Sequence, residues 1–200
     1  GTQTFAKRQD RDGILHRPAF IQRAKGCRMW DLDGREYIDY RAALGPILLG
    51  YGCKRVDAAV RKQMESGVLF SMASPIEAEA AEAVLGILGW PDLIRFMKTG
   101  ADATSCCLRL ARSHTRRDHL LTVGYHGYQD WYALEWPNPG IPEVLRDYVH
   151  EVPYGDIAAA DRVFDTYGKE LAAAVVVPLE WHLEPSGEFL AHLRKRSTEV

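Results

Sequence analysis

The sequence lacks several features that would assign a protein to a class at once. It has no apolar run of the ~20 residues needed to span a bilayer, and its first residues, GTQTFAKRQDRDG, contain no apolar stretch typical of a signal peptide. Its formal net charge is only −2 over 200 residues. We therefore expect neither nucleic acid nor a membrane as a partner.

Cysteine is also scarce, and its positions exclude two kinds of protein. The four cysteines, Cys27, Cys53, Cys106 and Cys107, have neither the C-x-x-C spacing of a zinc site nor the density of a disulfide-rich protein. The histidines are scattered without ligand spacing, so we expect no metal site. This pattern favours a reducing, cytoplasmic compartment.

Strand and helix patterns alternate along the second half of the chain. The apolar runs that predict strands are residues 93–97, 119–123, 147–152 and 172–179. The segments with helical spacing are residues 101–115, 156–167 and 187–196. Such alternation predicts an α/β fold, with a mostly parallel sheet and helices on both faces.

An N-terminal segment of different character precedes this alternation. Asp33-Gly34 predicts a tight turn between two extended stretches, hence a β-hairpin segment, and helices follow at residues 55–66 and 75–88. We expect an N-terminal arm and small-domain segment over residues 1–70, and the first part of a large domain over residues 71–200. Because no strand follows the last helix, we expect that domain to be truncated at Val200.

The stretch TGADAT, residues 99–104, joins a predicted strand to a predicted helix. A helix start presents unsatisfied N–H groups and the positive end of the helix dipole, which together attract an anion. Gly100 allows close backbone approach, and the hydroxyls of Thr99 and Thr104 can add hydrogen bonds. The stretch lacks the glycine patterns of a P-loop or a dinucleotide fingerprint, which favours a single phosphate. An ordinary strand-to-helix turn explains it equally well.

The stretch VGYHGYQDWY, Val123–Tyr132, follows the next predicted strand. Ligands of open parallel sheets bind outside the carboxyl ends of the strands, so both stretches are expected to face one site. Tyr125 and His126 stand between two glycines and offer a flat aromatic face to a planar ring. The later aromatic residues are more simply explained as a packed loop. Ser105 is not on a nucleophile elbow, which argues against a hydrolase triad with His126 and Asp130.

Four segments, in this order, resemble one family. They are KGCRMWDLDGREYIDY at 25–40, LGPILLGYG at 44–52, RFMKTGADATSCCLRLARSHT at 95–115 and GYHGYQDW at 124–131. With them the chain resembles the class III aminotransferases of the glutamate-1-semialdehyde 2,1-aminomutase type, which use pyridoxal 5'-phosphate (PLP) on a fold type I scaffold. The resemblance extends over essentially all 200 residues.

The resemblance implies roles for several residues. Thr99, Gly100 and Ala101 stand where the family's phosphate-binding Ser-Gly-Thr stands. Tyr125 stands where the family stacks an aromatic ring on the cofactor's pyridine, with His126 beside it. The anion expected at the helix start is then the phosphate of PLP.

Glu180 is a further cofactor-site candidate under this resemblance. The family has Glu-Pro after its buried strand, whereas this chain reads Pro178-Leu179-Glu180. A glutamate on a surface loop explains Glu180 equally well.

The chain also departs from the family. The family's Schiff-base lysine and the aspartate that pairs with the pyridine nitrogen have no counterpart among the 200 residues, so we assign no catalytic residue. Lys98 is explained as a lysine at a surface turn. Leu44 stands where the aminomutases carry a substrate-binding Trp, which favours a different carbonyl or amine substrate.

The resemblance therefore implies a PLP-dependent aminotransferase or aminomutase that acts on a small amino donor or acceptor as a homodimer. We expect the 200 residues alone to be inactive and prone to association through an unpaired sheet edge. The alternative is a catalytically inactive partner domain that binds phosphate or PLP. Transfer and internal migration of the amino group are both open.

Overall fold

The computed structural model describes residues 18, 20–132, 140–179 and 186–200. The chain divides into two compact units, Gly1–Ala80 and Ala81–Val200. The boundary between them falls within one helix, Pro75–Leu88.

The first unit contains a small antiparallel sheet. Its strands are β1 (Ile21–Lys25), β2 (Arg28–Asp31) and β3 (Glu36–Ile38), which pair in the order β1-β2-β3. The predicted turn at Asp33-Gly34 joins β2 to β3, and Gly34 has the positive φ of +80° that such a turn requires. The predicted hairpin is thus confirmed, with one further strand.

Asp39 organises the loop that follows this sheet. Its carboxylate accepts hydrogen bonds from the Arg41 and Ala43 amides at 2.9 and 3.1 Å and from the Tyr51 hydroxyl at 2.7 Å. Residues 42–44 adopt positive φ angles of 45°, 52° and 72°, which non-glycine residues rarely adopt. The bonds to Asp39 stabilise this left-handed stretch, which includes Leu44.

Two helices follow along the chain, α1 (Lys54–Ser66) and α2 (Pro75–Leu88). Gly67 ends α1, and a capping box begins α2, since the Ser74 amide donates to Glu77 Oε1 at 3.3 Å. The apolar stripe of α1 is exposed: Val56, Val60 and Met64 retain 44%, 52% and 63% of their accessible surface.

The second unit contains α3 (Gly100–Thr115), β4 (His119–Val123), β5 (Val149–Glu151), α4 (Ile157–Tyr167), β6 (Leu171–Val176) and α5 (Gly187–Glu199). The three strands form a parallel sheet in the order β5-β4-β6. β4 lies in the centre, and Leu120, Leu121 and Val123 are fully buried. The first two residues of the strand predicted at 147–152 belong instead to a short 3-10 helix, Glu143–Tyr148.

Helices cover both faces of the parallel sheet. Leu121 and Val123 of β4 point to one face, where they belong to the cluster formed with Phe164 of α4 and Phe189 of α5. Leu120 and Thr122 point to the other face and are equally buried, and α3 packs against β6. The predicted α/β architecture is therefore confirmed.

The prediction of a strand at residues 93–97 is wrong. This segment forms no strand, and Leu93 and Phe96 are 88% and 52% exposed. An extended apolar segment becomes a strand only where a neighbouring strand completes its hydrogen bonds. Within the part of the chain that the structure describes, none pairs with it.

Across the described residues, no helix has the length and apolar character needed to cross a membrane.

Candidate functional site

The start of α3 has the geometry of an anion-binding helix N-terminus. Thr99 is the N-cap with extended backbone angles, and its Oγ1 accepts from the Asp102 amide at 3.1 Å. The Ala103 amide donates to the Thr99 carbonyl oxygen at 3.0 Å. The amides of Gly100 and Ala101 lie in the first turn, where no carbonyl of the helix can accept their N–H groups. Together with the dipole of a 16-residue helix, they can hold an anion.

The Thr99 hydroxyl is engaged within this helix start. It donates to Asp102 Oδ2 at 2.8 Å while it accepts the Asp102 amide. The other oxygen of Asp102 accepts from Gln129 Nε2 at 3.3 Å. The donors left for an anion are therefore the two backbone amides.

The loop after β4, residues 124–132, lies against this helix start. Gly127 has a φ of +127°, and a Cβ atom built on it would lie 2.7 Å from the Cβ of Ala101. Thr104 Oγ1 donates to the His126 carbonyl oxygen at 2.9 Å. The structure thus brings Ala101, on the expected phosphate side, directly beside the segment that carries Tyr125 and His126.

His126 is packed inside the loop. Its side chain is only 7% exposed, its ring meets the Tyr132 ring edge-on at 5.2 Å, and it stacks on Trp131 at 6.1 Å. Trp131 Nε1 in turn donates to Ser105 Oγ at 2.8 Å. Trp131 and Tyr132 are packed, as expected, and His126 belongs to that packing. Tyr128, also expected to pack, is instead 72% exposed.

The Tyr125 side chain, unlike that of the adjacent His126, is 70% exposed. One edge contact, with the Tyr132 ring at 5.7 Å and 86°, sets its orientation. An exposed aromatic ring held at its edge can offer a face to a planar ligand.

Other residues singled out from the sequence have different outcomes. Glu180 lies outside the described residues. The Thr104 hydroxyl, expected to add a bond to the anion, is instead within bonding distance of three carbonyl oxygens, those of His126, Gly100 and Ala101. Ser105 accepts the Trp131 indole N–H rather than joining a triad. The sequence analysis missed these contacts. The signal that could have indicated them is the pair of hydroxyl residues, Thr104 and Ser105, one turn into the helix that precedes the glycine-flanked loop.

A separate cluster of titratable groups lies at the opposite, amino end of β4. His119 Nδ1 is 2.9 Å from His150 Nε2, and His119 Nε2 is 3.3 Å from Glu170 Oε2. Burial and the neighbouring His119 lower the pKa of His150, and Glu170 offsets this in part. Among the residues that the structure describes, no group of three or more His, Cys, Asp or Glu side chains is arranged to hold a metal ion.

Comparison with known proteins decides the family. The model of the class III aminotransferases matches residues 10–157, about three quarters of the chain. The chain belongs to the class III aminotransferase family. It is 34% identical over 192 residues to the glutamate-1-semialdehyde 2,1-aminomutase of Sulfurihydrogenibium azorense, which covers 88% of this chain and 45% of that protein. It is 33% identical to the same enzyme of Aquifex aeolicus, covering 92% of this chain and 47% of that one.

Solved structures of other proteins share the fold. The FumI protein of Sphingopyxis sp. MTA144, determined in its PLP internal aldimine form, is 34% identical with a TM-score of 0.84, and the match covers 92% of this chain and 46% of that one. An omega-transaminase from Sphaerobacter thermophilus has a TM-score of 0.85 at 23% identity, covering 90% and 46%. These matches confirm the predicted fold type I. The chain spans about half the length of the curated relatives it matches.

Proposed function

We propose that the chain provides the phosphate- and ring-binding part of a PLP-dependent aminotransferase or aminomutase that acts on a small carbonyl or amine substrate. The observation that carries this proposal is the hydrogen bond from Thr104 to the His126 carbonyl at 2.9 Å, which joins the α3 start to the Tyr125 loop. One phosphate site and one ring site, side by side, suit a phosphorylated pyridine. Family membership supports the same cofactor.

The residues present fit PLP. The amides of Gly100 and Ala101 would hold the phosphate, with Thr99 fixing the helix start, and the α3 dipole favours its negative charge. Tyr125 would cover one face of the pyridine, with its ring held at the edge by Tyr132, on which the buried His126 also packs. When bound, the cofactor supplies an electron sink for the transfer of the amino group. Glu180 is retained as a proposed cofactor-site residue.

The residues of this chain then contribute binding and orientation. The two amides would hold the phosphate in place, and the Tyr125 ring would exclude water from the face of the pyridine that it covers. Ala101 stands where the family has a hydroxyl residue, so backbone donors carry more of the phosphate binding here.

We include in this proposal that the 200 residues bind but do not catalyse, since none of their lysines matches the family's Schiff-base lysine. The proposal also includes the domain organisation, with an arm and small-domain segment over 1–70 and part of the large domain over 71–200. It further includes a homodimeric assembly and a cytoplasmic location. Leu44 supports a substrate other than glutamate-1-semialdehyde.

The test uses pyridoxine 5'-phosphate, which has no aldehyde and cannot react with surface lysines. We expect saturable binding by calorimetry, weakened about two- to tenfold by Tyr125→Ala because of the lost stacking. Tyr128→Ala is the matched control, since Tyr128 lies in the same loop and is 72% exposed. Equal effects of the two substitutions would contradict the assignment of Tyr125.

Borohydride reduction with PLP separates the enzyme from an inactive partner domain. We expect no single stoichiometric lysine adduct on the 200 residues, and one on any longer product of the same gene. If a longer product also forms no site-specific adduct, the inactive phosphate- or PLP-binding domain is the better account.

A further inference from the structure

The loop that carries Tyr125 is held along the first two turns of α3 by three side-chain hydrogen bonds. They are Thr104 Oγ1 to the His126 carbonyl oxygen at 2.9 Å, Trp131 Nε1 to Ser105 Oγ at 2.8 Å, and Gln129 Nε2 to Asp102 Oδ1 at 3.3 Å. The close packing of Gly127 on Ala101 adds a steric contact between the same two segments. The helix start and the loop are therefore joined at several points along their length.

Thr104 occupies the central point of this junction. Besides the His126 carbonyl, its hydroxyl lies 3.0 Å from the Ala101 carbonyl oxygen and 3.2 Å from that of Gly100. Its proton can be donated to any of these three oxygens, and the His126 carbonyl oxygen, at 2.9 Å, is the nearest of them. A single half-buried side chain thus contacts both the turn whose amides face the anion and the backbone next to Tyr125.

We propose that Thr104 is a positioning residue, which keeps the ring-stacking loop in register with the anion-binding amides of α3. It contacts neither phosphate nor ring and acts through the His126 carbonyl. Ser105 supports it through Trp131, whose ring stacks on His126. The inference rests on the proposed function, because it assigns the two joined segments to the two ends of one ligand.

This role has a specific energetic consequence. A ligand that carries a phosphate and a ring on one short frame binds best when both subsites are already in register. If the loop is free to move, binding the ring must order it, and that cost lowers the affinity. Free inorganic phosphate uses the helix amides alone and does not depend on the loop.

The test compares two ligands on three proteins by calorimetry. The ligands are pyridoxine 5'-phosphate and inorganic phosphate, and the proteins are the wild-type chain, Thr104→Val and Thr104→Ser. We expect Thr104→Val to weaken pyridoxine 5'-phosphate about tenfold, the effect of one hydrogen bond, and to change inorganic phosphate binding less than about twofold. Thr104→Ser keeps the hydroxyl and should restore the wild-type ratio of the two affinities. An equal loss for both ligands would overturn the positioning role.

A second measurement follows the loop without any ligand. Hydrogen exchange of the free chain should be faster over residues 124–132 in Thr104→Val, with β4 and the rest of α3 unchanged. Unchanged exchange in that loop would refute the positioning role whatever the binding data. If the loop loosens but wild-type protein does not prefer pyridoxine 5'-phosphate over inorganic phosphate, the junction stands and the proposed cofactor function fails.

Discussion

Gly127 packs directly against Ala101, and a Cβ atom at Gly127 would lie 2.7 Å from the Ala101 Cβ and 3.0 Å from its Cα. Real Cβ atoms do not approach other atoms so closely, so a side chain at Gly127 would force the loop or the start of α3 to shift. Gly127 also has a φ of +127°, a conformation that L side chains rarely adopt. Glycine is therefore required here by space and by backbone angle together.

Gly127→Ala should destabilise the second unit by about 1–3 kcal/mol from overpacking alone, in addition to the backbone term. Gly155→Ala is the matched control, because Gly155 has a positive φ of +85° but an added Cβ would meet no atom within 4 Å. Urea unfolding followed by circular dichroism measures both. An equal loss for the two variants would show that the Ala101 contact does not matter.

A double-mutant cycle isolates the contact itself. Ala101→Gly removes the obstructing Cβ, so Gly127→Ala should cost less in that background, and the difference is the coupling energy of the pair. Additive effects would contradict direct packing between Ala101 and Gly127.

The starts of α3, α4 and α5 could be predicted to within one residue because a helix start is a local event, whereas α5 ends three residues beyond its predicted end at 196. Asp156 accepts the Ala159 amide at 2.8 Å and Ser186 accepts the Phe189 amide at 3.2 Å, so short polar residues fix both starts. Residues 93–97 were predicted to be a strand and form none. Their own sequence could not show this, because a strand also needs a neighbouring strand to pair with. Apolar character alone does not supply one.

The candidate site, too, has parts that could be predicted from the sequence and parts that could not. The helix N-terminus at Thr99 and the aromatic loop at Tyr125 follow from sequence pattern. The hydroxyl contacts of Thr104 and Ser105 do not, because they depend on how two segments more than twenty residues apart meet. The assignment of these residues to PLP stays a prediction.

The His150 cluster should make stability depend on pH near neutrality. The pKa of His150 is lowered by burial and by His119, while Glu170 opposes the shift, and the rings of Tyr148 and Tyr167 also face the pair. The unfolded state then binds a proton more readily, so stability should fall as the pH drops below about 6.5, the usual histidine value.

The measurement for this cluster is the thermal midpoint between pH 8 and pH 5. His150→Phe keeps a ring to stack on Tyr167 but cannot titrate, so its midpoint should fall less over this range than that of the wild type. His114→Gln, an exposed histidine on α3, is the control and should keep the wild-type slope. An unchanged slope in His150→Phe would assign the pH dependence elsewhere.

Arg196 should hold α5 onto α4 in a way that its neighbour Arg194 does not. Its guanidinium bonds Asp161 and lies 2.5 Å from Asp165, both on α4, and its side chain is only 19% exposed. Arg196→Met keeps the apolar stem and loses these bonds, so its unfolding midpoint should be lower than that of Arg194→Met, an exposed control on the same helix. Equal midpoints would show that the ion pairs contribute nothing.

The same network predicts an acid dependence. Hydrogen bonding to His192 and the charge of Arg196 lower the pKa of Asp161, although burial opposes this. A carboxylate with a lowered pKa stabilises the fold above its unfolded value of 3.8, and this contribution is lost as the pH falls through the lower folded value. Asp161→Asn should therefore be less stable than wild type at pH 7, with the difference shrinking towards acid.

In the first unit, the Tyr51 hydroxyl should ionise unusually late. Burial, the 2.7 Å hydrogen bond to Asp39 and the negative charge of that carboxylate raise the pKa of Tyr51 to about 12. Because the folded state keeps this proton longer than the unfolded chain, the contribution to stability is present below pH 10 and is lost as the pH rises towards 12. The hydrogen bond to Asp31 also raises the pKa of Tyr37, so the titration is followed in a Tyr37→Phe background. There, absorbance at the phenolate band should show a late-titrating tyrosine that is absent in Tyr51→Phe and retained in Tyr40→Phe, whose tyrosine is 91% exposed. Asp39→Asn should bring the pKa of Tyr51 down, since it removes the charge but keeps a side chain of the same shape. In the Tyr37→Phe background, a late titration that survives in Tyr51→Phe would mean that the bond to Asp39 does not hold this proton.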